Sequence, residues 1–151
     1  MRGAILGGLL ILALACGDNG PEAGEIDGAW RLTSVGILPL PAQGTATGGE
    51  VWLAAILDVT GQTGFFDRCM RDPSGTTRVS RSTAVLVDPI DGDRVKVSYF
   101  ERRVNLPDTA TVNGGQLTLR YRDIVSDPPP VDVLTFVRMP GGRPEVCSLA
   151  P

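Results

Sequence analysis

The stretch 109-TATVNGGQLTLRYRD-123 decides the fold class. Leu117, Leu119 and Tyr121 alternate with Thr118, Arg120 and Arg122, the period-2 pattern of a strand with one dry and one wet face. Asn113-Gly114-Gly115 separates this run from the short run Thr109–Val112. Asn-Gly suits a tight hairpin because both central residues take positive φ at little cost. A hairpin joins antiparallel neighbours, so the pair belongs to an antiparallel sheet.

Outward from this hairpin the same pattern recurs. In 94-RVKVSYFER-102, Val95, Val97 and Tyr99 oppose Arg94, Lys96 and Ser98. Eight runs rich in β-branched and aromatic residues follow one another: Ala29–Val35, Glu50–Val59, Thr63–Arg71, Thr77–Val87, Arg94–Arg102, Thr109–Val112, Gln116–Asp123 and Val131–Arg138. Turn signals stand between them at Gly61-Gln62 and Asp91-Gly92. No 3.6-residue apolar period is sustained across residues 27–151. The expectation is an all-β domain over 27–151, an antiparallel up-and-down β-barrel of about eight strands. At that strand number the interior is either filled by side chains or holds one small ligand.

Three segments are less plain. The run 51-VWLAAIL-57 is apolar on all sides, as a short buried helix would be; Val51, Trp52 and Ile56 favour a strand. The segment 36-GILPLPAQGTATGG-49 reads as a long loop whose prolines at 39 and 41 block regular pairing. In 63-TGFFDRCM-70, Phe65 and Phe66 fall on opposite faces of a strand. Either one ring is exposed at a barrel mouth or partner surface, or a bulge buries both.

Composition sets outer limits. The 151 residues suit one domain, and 42% apolar content is too high for a disordered chain. A net charge of −3 lacks the broad basic field that non-specific nucleic-acid binding needs, so no nucleic-acid partner is expected. Histidine is absent, which excludes Ser-His-Asp and Cys-His catalysis and any zinc site built on imidazole. No cofactor is implied.

The amino terminus carries an address. After Met1-Arg2, the uncharged stretch 3-GAILGGLLILALA-15 is too short to span a bilayer and has the length of a signal-peptide apolar core. It ends in Leu12-Ala13-Leu14-Ala15-Cys16, which resembles the bacterial lipobox. That resemblance implies a signal peptide over 1–15 and a cysteine, Cys16, that carries lipid after cleavage. Two or three acyl chains hold a protein firmly where one does so only marginally. Residues 16–26 then form the lipidated cysteine and a flexible tether, rich in glycine and poor in apolar side chains. Gly17, not aspartate, follows the cysteine. The expected location is the cell envelope, anchored in the membrane by lipid, the outer membrane in preference to the inner.

With Cys16 acylated, Cys69 and Cys147 remain in an oxidising compartment. A disulfide between them is the simple reading, with two free buried thiols as the alternative.

Residues 28-GAWRLTSVGILPLP-41, with the later 114-GGQLTLRY-121, resemble the opening and an inner strand of small bacterial lipocalin-like lipoproteins. The resemblance runs from Gly28 to Arg138 and is sharpest at Gly28, Trp30 and Leu32. It implies a lipocalin-like barrel in which the G-x-W tryptophan, Trp30, packs across the closed end. Arg138 of the last strand would lie over its ring, making Gly28, Trp30 and Arg138 the barrel-closing set. The chain departs from the family in having no second signature after the sixth strand and no helix beyond the barrel.

Chemistry elsewhere is weakly marked. Asp88, Asp91 and Asp93 could offer oxygen ligands to calcium, but their spacing does not match an EF-hand loop, and a solvated turn is the plainer reading; no metal site is expected. The expected function is non-enzymatic, the binding of a small apolar or amphipathic ligand by a lipid-anchored envelope barrel, with ligand-contacting residues beyond Trp30 and Leu32 unassigned. The alternative is an envelope interaction module, such as a protease inhibitor or assembly partner, with a solid barrel. A carboxylate-based hydrolase ranks last, because 17 acidic residues yield suitable pairs by chance.

Overall fold

The computed structural model describes residues 26–44, 47, 49–83, 85–91, 94–99, 108–122, 131–141 and 143–151. The expected signal segment 1–15, Cys16, the expected tether before Ile26, Asp93, and the stretches 101-ERRV-104 and 128-PPP-130 lie outside the described residues. Ten strands follow in order: β1 (Gly28–Val35), β2 (Leu38–Pro39), β3 (Val51–Thr60), β4 (Thr63–Arg71), β5 (Thr77–Thr83), β6 (Val85–Asp91), β7 (Arg94–Tyr99), β8 (Asp108–Asn113), β9 (Gln116–Arg122) and β10 (Val131–Arg138). A 3-10 turn, Val146–Leu149, comes last among the described residues. They form one sheet in the order β5-β4-β3-β1-β10-β9-β8-β7-β6, with β2 on the side of β1, and the pairings are antiparallel. The β8–β9 connection is the two-residue turn that Asn113-Gly114-Gly115 announced, with Gly114 at φ +57° and Gly115 at φ +85°.

The all-β antiparallel class is therefore the fold, and 51–57 is a strand. Two expectations change. The eight runs become ten because Leu38–Pro39 pairs briefly with β1, and because the run from Thr77 serves two neighbours in turn. Its first part, β5, pairs with β4, and β6 pairs with β7. For the same reason the hydrogen-bonded path does not close into the expected barrel among the described residues: β5 and β6 are its two edges. These edges are successive in the chain, and β4 also approaches β6.

The sheet is nonetheless rolled. β4 and β9 stand four strand spacings apart, which would be about 19 Å in a flat sheet. Yet the Phe66 and Tyr121 ring centroids are 6.3 Å apart, and Arg68 Nη1 donates to Tyr121 Oη at 3.2 Å. Two bulges help to bend it. The register of β1 against β10 shifts between Leu32 and Ser34, and that of β3 against β4 between Trp52 and Ala54. Each extra residue switches which parity faces inward and increases the local twist. Trp30 and Leu32 are followed inward by Val35, and Trp52 by Ala55, Leu57 and Val59.

The concave face holds the main core: Trp30, Leu32, Trp52, Leu57, Phe66, Met70, Leu117, Leu119, Leu134 and Phe136, with Tyr121 packed against it. A smaller cluster lies on the convex face. Leu53, Ala54, Ile56 and Cys69 pack there under Val146, Cys147 and Leu149 of the carboxyl-terminal tail. This is why 51–57 is apolar on all sides: one side meets the core and the other meets the tail. Phe65 and Phe66 take opposite faces, Phe66 buried and Phe65 41% exposed beside the Arg81 guanidinium.

Candidate functional site

At one end of the rolled sheet Trp30 is fully buried, and its indole Nε1 donates to Ile26 O at 2.7 Å. The Arg138 guanidinium lies over its ring, Cζ 4.3 Å from the centroid, and Arg138 Nη1 donates to Asp27 O at 2.6 Å. Gly28 sits beneath at φ +112°, and a Cβ there would stand 3.2 Å from Arg138 Nη1. Gly28, Trp30 and Arg138 are thus brought together. The register explains it, since Trp30 and Arg138 are direct partners across β1 and β10.

Cys69 and Cys147 are joined in a disulfide, Cα to Cα 5.1 Å. Asp67, one residue pair from Cys69 on the same convex face, receives both Arg81 Nε at 2.8 Å and Arg81 Nη2 at 3.0 Å. Arg143 of the tail ion-pairs with Asp67 and, at 3.5 Å, with Asp58. The tail is therefore fastened by one covalent bond and one shared guanidinium.

The opposite end is crossed by residues 36–44. Ala42 bridges to Trp52, and Leu40 and Ala42 join the core. Gly44 presses so closely on Val35 and Asp132 that a Cβ would collide with both side chains. The described part of the expected loop, residues 36–44, thus covers one end of the concave face. Ile37, on the turn between β1 and β2, is 96% exposed.

Beneath that cover lies the arrangement the sequence did not mark. Arg68 on β4 shares the parity of Phe66 and Met70 and so points inward. Its Nη2 donates to Ser80 Oγ at 3.1 Å and Ser82 Oγ at 2.6 Å, and its Nη1 to Tyr121 Oη. Its Cζ is 5.7 Å from the Trp52 ring centroid and 5.2 Å from that of Phe66. Trp52, Phe66 and Tyr121 form a mutually edge-on aromatic trio, with centroids 5.4 to 6.3 Å apart. Among the described residues no carboxylate reaches ion-pair distance of Arg68; the ion pairs there involve Arg78, Arg81 and Arg143. Arg68 Nε and Trp52 Nε1 are both buried without a hydrogen-bond partner.

Comparison with protein-family models, with curated proteins and with solved structures gives no match. The site is read from its own chemistry.

A guanidinium drawn from water is costly unless its charge and its N–H groups are met. Three hydroxyls and two ring faces meet part of that need. The remaining need is for negative charge. Asp132 on β10 alternates with Leu134 and Phe136, faces the same interior and has an interaction of its own. The buried carboxylates Asp67 and Asp132 lie on opposite faces of the sheet, so they do not flank a common bond as glycosidase acids do. Among the described residues no group of three or more acidic or cysteine side chains could hold a metal ion. The side chains of Asp88 and Asp91, like Asp93, are outside the description.

Proposed function

We propose that this chain is a lipid-anchored protein of the bacterial cell envelope whose rolled sheet binds a small amphipathic ligand. Cys16 in Leu12-Ala13-Leu14-Ala15-Cys16 is the lipid attachment site, and residues 17–25 tether the domain to the outer membrane. The sheet works as a lipocalin-like barrel, with the run 77–91 acting as one strand shared by two neighbours. Trp30, Gly28 and Arg138 close one end, and the ligand sits toward the other. No catalytic step belongs to this reading.

One observation carries it: a half-buried arginine among aromatic rings on the concave face, with no carboxylate partner among the described residues. A polar group placed among apolar walls is how binding sites fix the orientation of a ligand that is mostly greasy. A methionine would fill the same space without a charge to desolvate.

A second reading keeps the anchor and makes the domain an interaction module. It draws on Ile37 at 96% and Leu38 at 47% exposure on the β1–β2 turn. Native mass spectrometry of the protein purified from its host separates the two. A small molecule retained on the folded chain, at a mass shift removed by denaturation, supports the binder. A chain that carries only its acyl groups, and co-purifies with a protein lost on Ile37→Asp substitution, supports the module.

A further inference from the structure

We infer that the convex face of β8, β9 and β10 carries a site for the phosphate group of a small ester, held by Thr109, Thr111, Thr118 and Arg120. The site lies on the side of the sheet away from the Arg68 cluster, so it stands or falls independently of the binder reading.

A depression of about 310 Å³ opens there, lined by Thr109 and Thr111 of β8, Thr118 and Arg120 of β9 and Val133 of β10. These residues alternate with the buried Ala110, Leu117, Leu119 and Leu134, which puts them on the outer face. Thr111 is the register partner of Thr118, and the same register sets Thr109 opposite Arg120. Partners across a strand pair stand about 5 Å apart and residues two apart along a strand about 7 Å, so the four side chains frame a rectangle of roughly 5 by 7 Å. Two O–H···O bonds of about 2.7 Å meeting at one oxyanion span its shorter side.

The donors of this frame are free. Among the described residues, none of the three hydroxyls and no Arg120 nitrogen makes a side-chain hydrogen bond or ion pair. Arg120 is exposed, and the register row through it runs Val133, Arg120, Thr109, Lys96, Asp88. The acid ending that row is three strand spacings from Arg120, about 14 Å, which is beyond the screening length of about 10 Å at moderate salt. The frame therefore offers one unneutralised cation and three hydroxyl donors. A guanidinium takes two oxygens of an oxyanion in parallel. A carboxylate has no more to give, whereas a tetrahedral phosphate turns further oxygens to the threonines. Val133, 44% exposed, supplies an apolar rim for the organic part of an ester. Among the described residues no aromatic side chain lines the depression, so it offers no platform on which a base would stack.

The test titrates inorganic phosphate and glycerol 3-phosphate into the full chain and follows the backbone amide resonances by NMR. Saturable shifts are expected at residues 109–111 and 118–120, with the ester binding several-fold tighter than the bare ion. Arg120→Gln should weaken the ester about 10-fold and Thr118→Val about 3- to 10-fold. Arg31→Gln removes another exposed arginine without an ion pair and should change nothing. Vesicles of phosphatidylcholine with and without phosphatidic acid identify the source of the phosphate. Arg120-dependent binding to phosphatidic acid assigns it to a lipid headgroup, and binding of glycerol 3-phosphate alone assigns it to a soluble ester. Shifts that do not saturate, an affinity unmoved by Thr118→Val, or an equal loss in Arg31→Gln and Arg120→Gln overturns the site, because the anion would then be following surface charge alone.

Discussion

Cys147→Ala removes the covalent hold on the tail, and its effect can be worked from the chain. The bridge joins residues 78 apart, so in the unfolded state it closes a long loop. On the chain-entropy account, freeing a loop of that length costs about 4.5 kcal/mol at 25 °C. Cys147 is the better partner to change: it is half-buried, whereas Cys69 is fully buried and its replacement would also open a hole. The tail keeps Arg143 on Asp67 and Asp58, and Val146 keeps its place over Leu53 and Ile56, so the folded state should persist. Native disulfides in small secreted domains contribute roughly 2–5 kcal/mol, against a total stability of about 5–15 kcal/mol. The expected loss is therefore about 2–4.5 kcal/mol, which lowers Tm by roughly 8–17 °C for a domain of this size. Guanidinium and thermal unfolding, followed by tryptophan fluorescence, give the number, and the oxidised protein in reductant should approach the variant. A loss under about 1 kcal/mol with an unchanged m-value would refute the reasoning, because it would mean that the loop is already constrained without the bond.

Other outcomes follow from single contacts. Phe66→Ala should cost about 3–5 kcal/mol, the range for emptying a buried aromatic site, while Phe65→Ala, at 41% exposure, should cost under about 1 kcal/mol; chemical denaturation compares them directly. Arg138→Met removes a cation–π contact at a solvent-exposed position and a hydrogen bond to Asp27 O, for a loss of about 1–2 kcal/mol and a changed Trp30 emission. Gly28→Ala should destabilise by at least about 1 kcal/mol, because φ +112° strains any side chain there. Ser74 Oγ and the Thr76 N–H hold the Asp72 carboxyl below its usual range. That contribution is present at neutral pH and disappears as pH falls through the lowered value. An NMR titration should find Asp72 titrating below free aspartate, and Ser74→Ala should raise it.

The sheet was legible because its physics is local. Alternation at Leu117, Leu119 and Tyr121 and the glycines at 114 and 115 need nothing beyond neighbouring residues to specify strand and turn. The Trp30–Arg138 meeting was legible only through family resemblance; nothing in the spacing of residues 108 apart brings them together. Closure is not seen among the described residues, because the run from Thr77 does not announce that its two parts, β5 and β6, pair with different neighbours. The all-round apolar character of 51–57 was visible, but its cause was not, since a tail without periodicity covers the second face.

The Arg68 cluster was missed for a specific reason. In 63-TGFFDRCMR-71 the phase of the strand hangs on which phenylalanine is inside, and adjacent rings leave that open. Once Phe66 is inward, Arg68 and Met70 follow by parity, and a charged residue falls in step with buried ones. That mismatch between pattern and charge was the available signal. The partners Ser80, Ser82 and Tyr121 come from two other strands and could not be read at all.

The account stands on a sheet rolled tightly enough for β4 and β9 to meet across its interior. An NMR measurement of cross-relaxation between the assigned Phe66 and Tyr121 ring protons tests this most directly. Rolled as described, the rings lie 6.3 Å apart between centroids and edge-on, and cross-peaks should be plain. In a flat or gently twisted sheet of the same strand order they would be about 19 Å apart, and silence between two well-resolved rings would contradict the fold and the site built within it.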